Sequence, residues 1–567
     1  MFLQRLIEYS ARLSLPPTLY SAAPVRYIVE LDGDGRLLSR RPTDTADPAD
    51  PRARNGERRL VPRVQRASGI RPLLLSDNAA YTLGLAREGK DGKREQACHQ
   101  AYLEQLRRCA AQTRAPAVQA ILAFLERDPS AELALPDDLD RAANITFRVE
   151  GVLAVEVLAV QDWWAAEHAT DAEGSNAPTM QCLVCGQQRR VLERLQEKIK
   201  GIPGGQTTGT SIISANEEAY ESYGLHASLI APICAPCAER MTKALNYLLA
   251  DPATRLSFGD SAVFVFWTRQ ETDFPFLDML KSPDPADVKA LLRSVYGAPA
   301  PSVEANRFYA ALLSGSGGRA VVRAWIDAML PEIQHNLAGW FQRQSIVGAY
   351  GDPPEPLGLY ALAAATVRDL KDAAPPTYRA LLTAALQGYP LPPNLLYQTV
   401  QRTRADQGVT REQAALLKLA LLSQTNANQK EDTMVQLDAY NSQPAYLCGR
   451  LLAVLESAQR AAIPEAKATI VDRYYGTAST APATVFGALL QGAQAHLGKL
   501  ERDNRGAYLA IQERLEEILA GLQGFPRVLN LQEQALFSLG YYHQRAQNRA
   551  GAKASALKKA TATESNA

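Results

Sequence analysis

The sequence predicts an α+β protein: a mixed α/β N-terminal half with a zinc-knuckle-like insert, followed by an all-α C-terminal helical bundle. Three observations lead there. Short β-branched and aromatic runs fall in the first half, two Cys-x-x-Cys pairs interrupt it, and beyond about residue 302 apolar residues recur at helical spacing almost to the end. At 567 residues the chain is too long for one hydrophobic core, so several domains are expected.

Taken in order, MFLQRLIEYSARL is amphipathic, with Arg5 and Arg12 breaking any apolar run, and does not read as a secretory signal. Val25 to Leu31 alternates apolar and polar residues, and Asp32-Gly33-Asp34-Gly35 supplies a turn into Arg36-Leu37-Leu38, a hairpin pattern. Residues 40–70 are rich in Arg, Pro and Asp with few large apolar side chains and read as a loop or a partly mobile insert. Ile145–Glu150 and Val263–Trp267 read as further strands. Pro and small residues between Ser282 and Ser302 punctuate the chain.

Three apolar stripes follow: Tyr446, Leu447, Leu451, Leu452, Val454 and Leu455; Tyr508, Ile511, Leu515, Ile518, Leu519 and Leu522; and Leu531, Ala535, Leu539 and Tyr542. Antiparallel helices bury such stripes as a bundle. From about Asn548 the composition falls to Ala, Lys, Ser and Thr, too poor in apolar residues to pack. The expected divisions are 1–285 as an α+β domain, 300–430 as a helical middle, 434–547 as a C-terminal bundle and 548–567 as a disordered tail.

Hydrophobic residues make up 46% and charged residues 21%, a globular balance that excludes wholesale disorder. The formal net charge of +1 argues against a solitary nucleic-acid binder, which needs a clear basic excess to neutralise phosphates. It suits a subunit with local basic patches whose other faces meet protein. No apolar stretch is long enough to cross a bilayer, and a cytoplasmic protein is expected.

The seven cysteines are an odd count for a disulfide scaffold. Four stand as Cys182-Leu183-Val184-Cys185 and Cys234-Ala235-Pro236-Cys237. Two thiolates at this spacing grip a metal from one tight turn, and two such knuckles complete a tetrahedral zinc site. With four sulfur ligands no position remains for water, so a zinc here would staple rather than catalyse. The competing readings are unmetallated buried thiols and thiol redox chemistry.

Between the pairs runs Lys198-Ile199-Lys200-Gly201-Ile202-Pro203-Gly204-Gly205-Gln206-Thr207-Thr208-Gly209-Thr210, then Ser211 to Asn216. Glycines let a backbone approach a ligand closely, Gln and Asn can pair with base edges, and Lys neutralises phosphate. No Gly-Lys-Ser/Thr follows, so this is not a nucleotide-binding P-loop. By itself it is a weak signal, and a Gly-rich surface loop without a ligand is the more common explanation.

The run KIKGIPGGQTTGTSIISANEEAYESYGLHASLIAPIC, followed by Ala244-Leu245-Asn246, closely resembles the large subunit of type I-C CRISPR Cascade, the Csd-one family. So do Leu75-Ser76-Asp77-Asn78-Ala79-Ala80-Tyr81-Thr82-Leu83-Gly84, the strand with Phe264 and Trp267, and Phe308 to Gly315 with Arg319, Val322, Arg323 and Trp325. Pro444 to Leu451 completes the series, so the resemblance spans nearly the whole chain in order. Other members lack some of the knuckle cysteines, which implies that zinc is a staple of particular lineages.

The resemblance implies a non-catalytic subunit of a complex containing CRISPR RNA. It would read a protospacer-adjacent motif in target double-stranded DNA, help open the duplex, stabilise the R-loop and help recruit a helicase-nuclease. Guide pairing would read the rest of the target. Gln206, Thr207, Thr208 and Asn216 are the expected motif contacts, with Lys198 and Lys200 on phosphate and Gly204 and Gly205 permitting close approach. Asn78 and Tyr81 come second, Tyr81 reading equally as a core residue. An Arg cluster (Arg52, Arg54, Arg58, Arg59, Arg63 and Arg66) could guide DNA, although charge runs are usually solvated.

The resemblance further implies a small subunit translated from an internal start, for which Met434 is well placed before the last bundle. Two alternatives stand beside this reading. One is a zinc-stabilised RNA- or protein-binding scaffold that reads no motif. The other is a metal-dependent nuclease, for which no cluster of Asp, Glu and His stands out.

Overall fold

A computed structural model describes the chain except residues 1, 14, 18, 48, 51–54, 65–68, 86–91, 128, 137–138, 169–177, 196, 216, 297–305, 425–433 and 565–567. The chain divides into two units, 1–200 with 208–247, and 201–207 with 248–567.

The first unit contains a five-stranded sheet. β1 (Tyr20–Val25) stands apart from it and pairs antiparallel with β4 (Glu57–Pro62). In the sheet, β2 (Tyr27–Leu31) lies between β3 (Thr43–Asp44) and β6 (Asn144–Val149). β5 (Ser76–Asn78) and β7 (Val152–Leu153) also pair with β6. β2 and β6 run parallel, with Val29 opposite Phe147. A parallel pair needs a long crossover, and the chain between them supplies the helices Lys93–Thr113 and Pro116–Leu125. Their apolar faces carry Tyr102, Leu106, Val118, Ile121 and Phe124 into one core with Val29, Leu31 and Phe147.

Two expectations are corrected here. The arm Arg36-Leu37-Leu38 does not form a hairpin strand. Asp32 folds the turn by accepting from the amides of Asp34 (3.0 Å) and Arg36 (2.7 Å), and the return arm makes one bridge, Leu31 to Leu37, flanked by Asp32 N–H to Arg36 O (2.9 Å) and Leu38 N–H to Glu30 O (3.0 Å). Leu38 is exposed, so little apolar burial draws the arm further, and antiparallel pairing on that side of β2 resumes only at β3, while β6 takes the other side. Within the stretch read as loop, Glu57–Pro62 is a strand paired with β1, its charged start exposed and Val61 and Pro62 buried at its end. Arg52, Arg54 and Arg66 lie outside the described residues.

The second unit contains an antiparallel meander: β10 (Arg255–Phe258), β11 (Ala262–Thr268), β12 (Arg307–Ser316) and β13 (Arg319–Met329). The segment read as helical from residue 300 thus begins as a hairpin. Its turn, Gly317-Gly318 between two long apolar runs, is of the kind that closes two-residue hairpins. Helices follow from Leu330 onward, and a continuous core joins the sheet residues Phe264 and Phe308 to Leu337, Leu416, Leu451 and Phe537. The helical C-terminal region agrees with the apolar stripes. The last helix runs Leu531–Glu564, through most of the segment whose composition reads as a tail, because Ala and Lys are strong helix formers even where nothing packs.

The helix Pro444–Ala462 crosses the last helix at glycines. A Cβ on Gly449 would lie 2.0 Å from the Phe537 carbonyl oxygen, and one on Gly540 2.2 Å from that of Tyr446. Glycine weakens a helix interior, so its presence at this crossing reflects backbone approach. Gly540→Ala is expected to lower stability by about 1–3 kcal/mol despite the better helix former. The same change at Gly487, where a Cβ meets nothing within 4 Å, should raise it by about 0.5–1 kcal/mol. Chemical denaturation of the two variants checks the opposite signs.

Candidate metal knuckle and nucleic-acid interface

The cysteine insert begins with a hairpin that lacks a core of its own. β8 (Thr179–Gln181) and β9 (Gln188–Arg190) pair antiparallel and contribute no buried side chain. A two-stranded hairpin is marginal in water without further support. Cys182 and Cys185 stand in its turn, closed by Gly186 N–H to Cys182 O (2.8 Å) and Cys182 N–H to Gln187 O (2.9 Å), with Gly186 at φ +72°. The second pair lies where the helix Ala235–Ala250 begins, with Cys234 just before it and Cys237 in its first turn. Leu183 N–H donates to Pro232 O and Leu192 N–H to Ile233 O, both at 2.9 Å, which brings the pairs together.

All four sulfurs lie within 4.8 Å of one another, and Cys185 and Cys234 are 4.0 Å apart. A tetrahedral zinc with bonds of about 2.3 Å requires sulfur separations of about 3.8 Å, so the cluster fits with small contraction. Cys182, Cys234 and Cys237 are buried, Cys185 is exposed, and all are free thiols. The amide of Cys234 points at Cys182 Sγ (3.5 Å), a donor suited to a thiolate. A hydrogen bond from Cys237 pulls the Cys234 thiol down to about 5 against the opposing effect of burial. The same bond, reinforced by burial, drives Cys237 up. The donor set is that of a structural site: four thiolates would hold the ion and leave no coordination position for chemistry.

The helix that starts at this cluster ends at the glycine-rich segment. Asn246 lies nine residues beyond Cys237, about 14 Å along the helix axis at 1.5 Å per residue. Its Nδ2 donates to Lys198 O (3.1 Å), and its Oδ1 accepts from Lys200 N–H (2.9 Å). Beside this clamp Ile199 and Thr210 exchange both backbone hydrogen bonds, each 2.8 Å, closing the loop at its base. Gly209, at φ +106°, cannot be replaced without collision, since a Cβ there would lie 2.6 Å from that of Lys198. Lys198 Nζ donates to Ser211 Oγ at 2.6 Å.

Residues 201–207 group with the second unit, where they dock on the β12–β13 turn. Gly315 N–H donates to Pro203 O (2.6 Å), Gln206 N–H to Gly317 O (3.0 Å), and Gly205 bridges to Gly317 in parallel. A Cβ on Gly315 would lie 2.1 Å from the Gly205 nitrogen, so this contact depends on glycine. Gln206, Thr207 and Thr208 are exposed, as are Lys198, Lys200 and Gly204, while Gly205 is half-buried. Asn216 lies outside the described residues.

Asn78 and Tyr81 belong to different elements. Asn78 caps the short helix Ala79–Thr82 by accepting from Ala80 N–H (3.1 Å). Tyr81 is 8% exposed, packs in the first unit's core and accepts from Arg71 N–H at 3.3 Å. Asn246 and the turn Gly315–Arg319 join the site without having been among the residues expected there. Gly-Gly between apolar runs was a readable hairpin signal for the turn. The clamp joins residues 46 and 48 positions apart and carries no local signature. No helix among the described residues is long and apolar enough to cross a membrane.

A family model described as CRISPR-associated protein (Cas_Csd1) matches residues 4–549, nearly the whole chain. No curated protein matches it.

Purified chain is expected to carry about one zinc, with ligands Cys182, Cys185, Cys234 and Cys237, by elemental analysis. Cys234→Ser should lose the ion and raise hydrogen exchange at the amides of Leu183, Leu192, Ile199 and Lys200, which the knuckles and the helix hold in place. Full metal content in Cys234→Ser would contradict this assignment.

Proposed function

Because the chain belongs to the CRISPR-associated Cas_Csd1 family, the large-subunit family of Cascade, we propose that it reads a protospacer-adjacent motif in duplex DNA through the segment Lys198–Thr208. The observation that carries this reading is the contrast between frame and tip. The frame uses its backbone and glycines for fixed internal contacts, while the side chains of Gln206, Thr207 and Thr208 remain exposed. Base edges are discriminated by such polar side chains on a backbone that can come close, and phosphate contacts set the register. A frame ordered before binding loses less conformational entropy when DNA arrives.

In this reading Gln206 is the principal base contact, with Thr207 and Thr208 beside it and Lys198 and Lys200 placed for phosphate. Asn216, beyond this segment, remains a candidate. Asn78 and Tyr81 become supporting residues, since the cap and the core already engage them. The zinc staple acts through the helix Ala235–Ala250 and touches no DNA. The subunit opens the duplex, stabilises the R-loop and presents a surface to a helicase-nuclease, taking no catalytic step itself. It works with the other subunits holding the CRISPR RNA, in the cytoplasm.

A start at Met434 would release a chain containing the helices from Pro444 to Glu564 as a small subunit. In the full chain this segment shares a core with the middle helices, and Val347 N–H donates to Val435 O at 2.9 Å. The released fragment therefore needs a partner surface in the complex to cover what those helices cover here. Replacing the Met434 codon with one for Leu should remove a fragment of this length from the purified complex. An unchanged set of masses would reject the internal start.

For motif reading, the guide-loaded complex is titrated with matched duplexes carrying intact or scrambled flanking motifs. Gln206→Ala is expected to weaken binding to the intact motif by about 1–3 kcal/mol, the value of one good base contact. Binding indifferent to the flanking sequence would favour the zinc-stabilised scaffold instead.

A further inference from the structure

We propose that Arg323 is a phosphate contact for duplex DNA, held beside the docked tip of the glycine-rich loop by a β-bulge. This rests on the motif-reading proposal for that loop and adds the cation its tip lacks. Residues 201–207 carry no charged side chain.

The β12–β13 ladder is regular except at one point. Leu312 pairs with Ala324 and Leu313 with Val322, leaving Arg323 as the extra residue. Bulges break strict alternation and re-aim side chains. Here Val322 and Arg323 are both exposed, where an unbroken strand would turn successive residues to opposite faces.

The Arg323 side chain leans back along the hairpin. Its Nε donates to the buried Ser314 hydroxyl at 2.7 Å. Ser314 immediately precedes Gly315, whose amide holds Pro203 and whose missing Cβ admits Gly205. The guanidinium is thus oriented next to the residues that seat Gln206, and among the described residues no carboxylate pairs with it. An oriented guanidinium with free N–H groups suits the paired oxygens of a phosphodiester. A purely structural arginine on an exposed strand would more ordinarily pair with a carboxylate or lie flat.

The test uses the guide-loaded complex and a fluorescent duplex that carries the motif but lacks guide complementarity, so guide pairing does not contribute. Affinity is measured across salt concentrations for wild type, Arg323→Gln, Arg323→Lys and Gln206→Ala, each with intact and scrambled motifs. Arg323→Gln is expected to weaken both duplexes equally, by about three- to tenfold near 0.1 M salt. The slope of log K against log salt should fall by about 0.9, the loss of one phosphate contact. Arg323→Lys should recover most of that slope, and Gln206→Ala should leave it unchanged while reducing motif preference. Unfolding temperature reports whether Arg323→Gln has disturbed the hairpin, and no change is expected.

Unchanged affinity and slope in Arg323→Gln would overturn the proposal. So would a loss confined to the intact motif at unchanged slope, which would make Arg323 a base contact. If wild type ignores the motif, the reading of the loop fails, while the salt slope still decides Arg323. No binding of either duplex by wild type would overturn both.

Discussion

The helix Ala235–Ala250 is held at both ends, and the geometry of the candidate interface depends on that. At its start two cysteines join a hairpin that buries no side chain; at its end Asn246 grips the backbone of Lys198 and Lys200. Between the ends, Lys243 donates to Glu239 and to the carbonyls of Pro16 and Pro17, and Glu239 accepts from Leu19 N–H. Small segments without a core of their own commonly rely on a metal, since the ion's binding free energy becomes folding free energy. Four thiols suit that task here, and the rigid helix carries the constraint about 14 Å to the loop base.

The loop itself is built from contacts that only glycine allows. Gly209 lets the two arms close, and Gly315 lets the tip lie on the hairpin turn, backbone against backbone. Such contacts satisfy amides and carbonyls internally and leave side chains to face a ligand. The near-neutral net charge fits this arrangement. Recognition would come from a few placed groups, with steering charge local rather than spread over the chain.

Much of this was legible in the sequence. Both cysteine pairs, the strands at Ile145–Glu150 and Val263–Trp267, and the C-terminal stripes follow from spacing and periodicity, which are local properties. The family came from the order of motifs along the chain. Less legible were features that depend on partners distant in sequence. β2 also pairs with a strand more than a hundred residues away, and the antiparallel return that the Asp32–Gly35 turn opens is carried by β3 rather than by Arg36–Leu38. Glu57–Pro62 is a strand because β1 pairs with it, against a charged composition that suggested a loop. Asn78 looked like a free polar side chain and caps a helix instead. The bulge at Arg323 leaves no mark in the sequence, because the residue count on each strand of a hairpin is fixed by its pairing.

The central claim is that the segment Lys198–Thr208 lies on the motif when the complex engages DNA. The most direct measurement is photocrosslinking of the guide-loaded complex to duplexes with a photoreactive base at each motif position, followed by peptide mass spectrometry. The account expects crosslinks on the peptide containing Gln206, Thr207 and Thr208, lost when the motif is scrambled. Crosslinks that fall reproducibly on other peptides, with this one unlabelled, would contradict it.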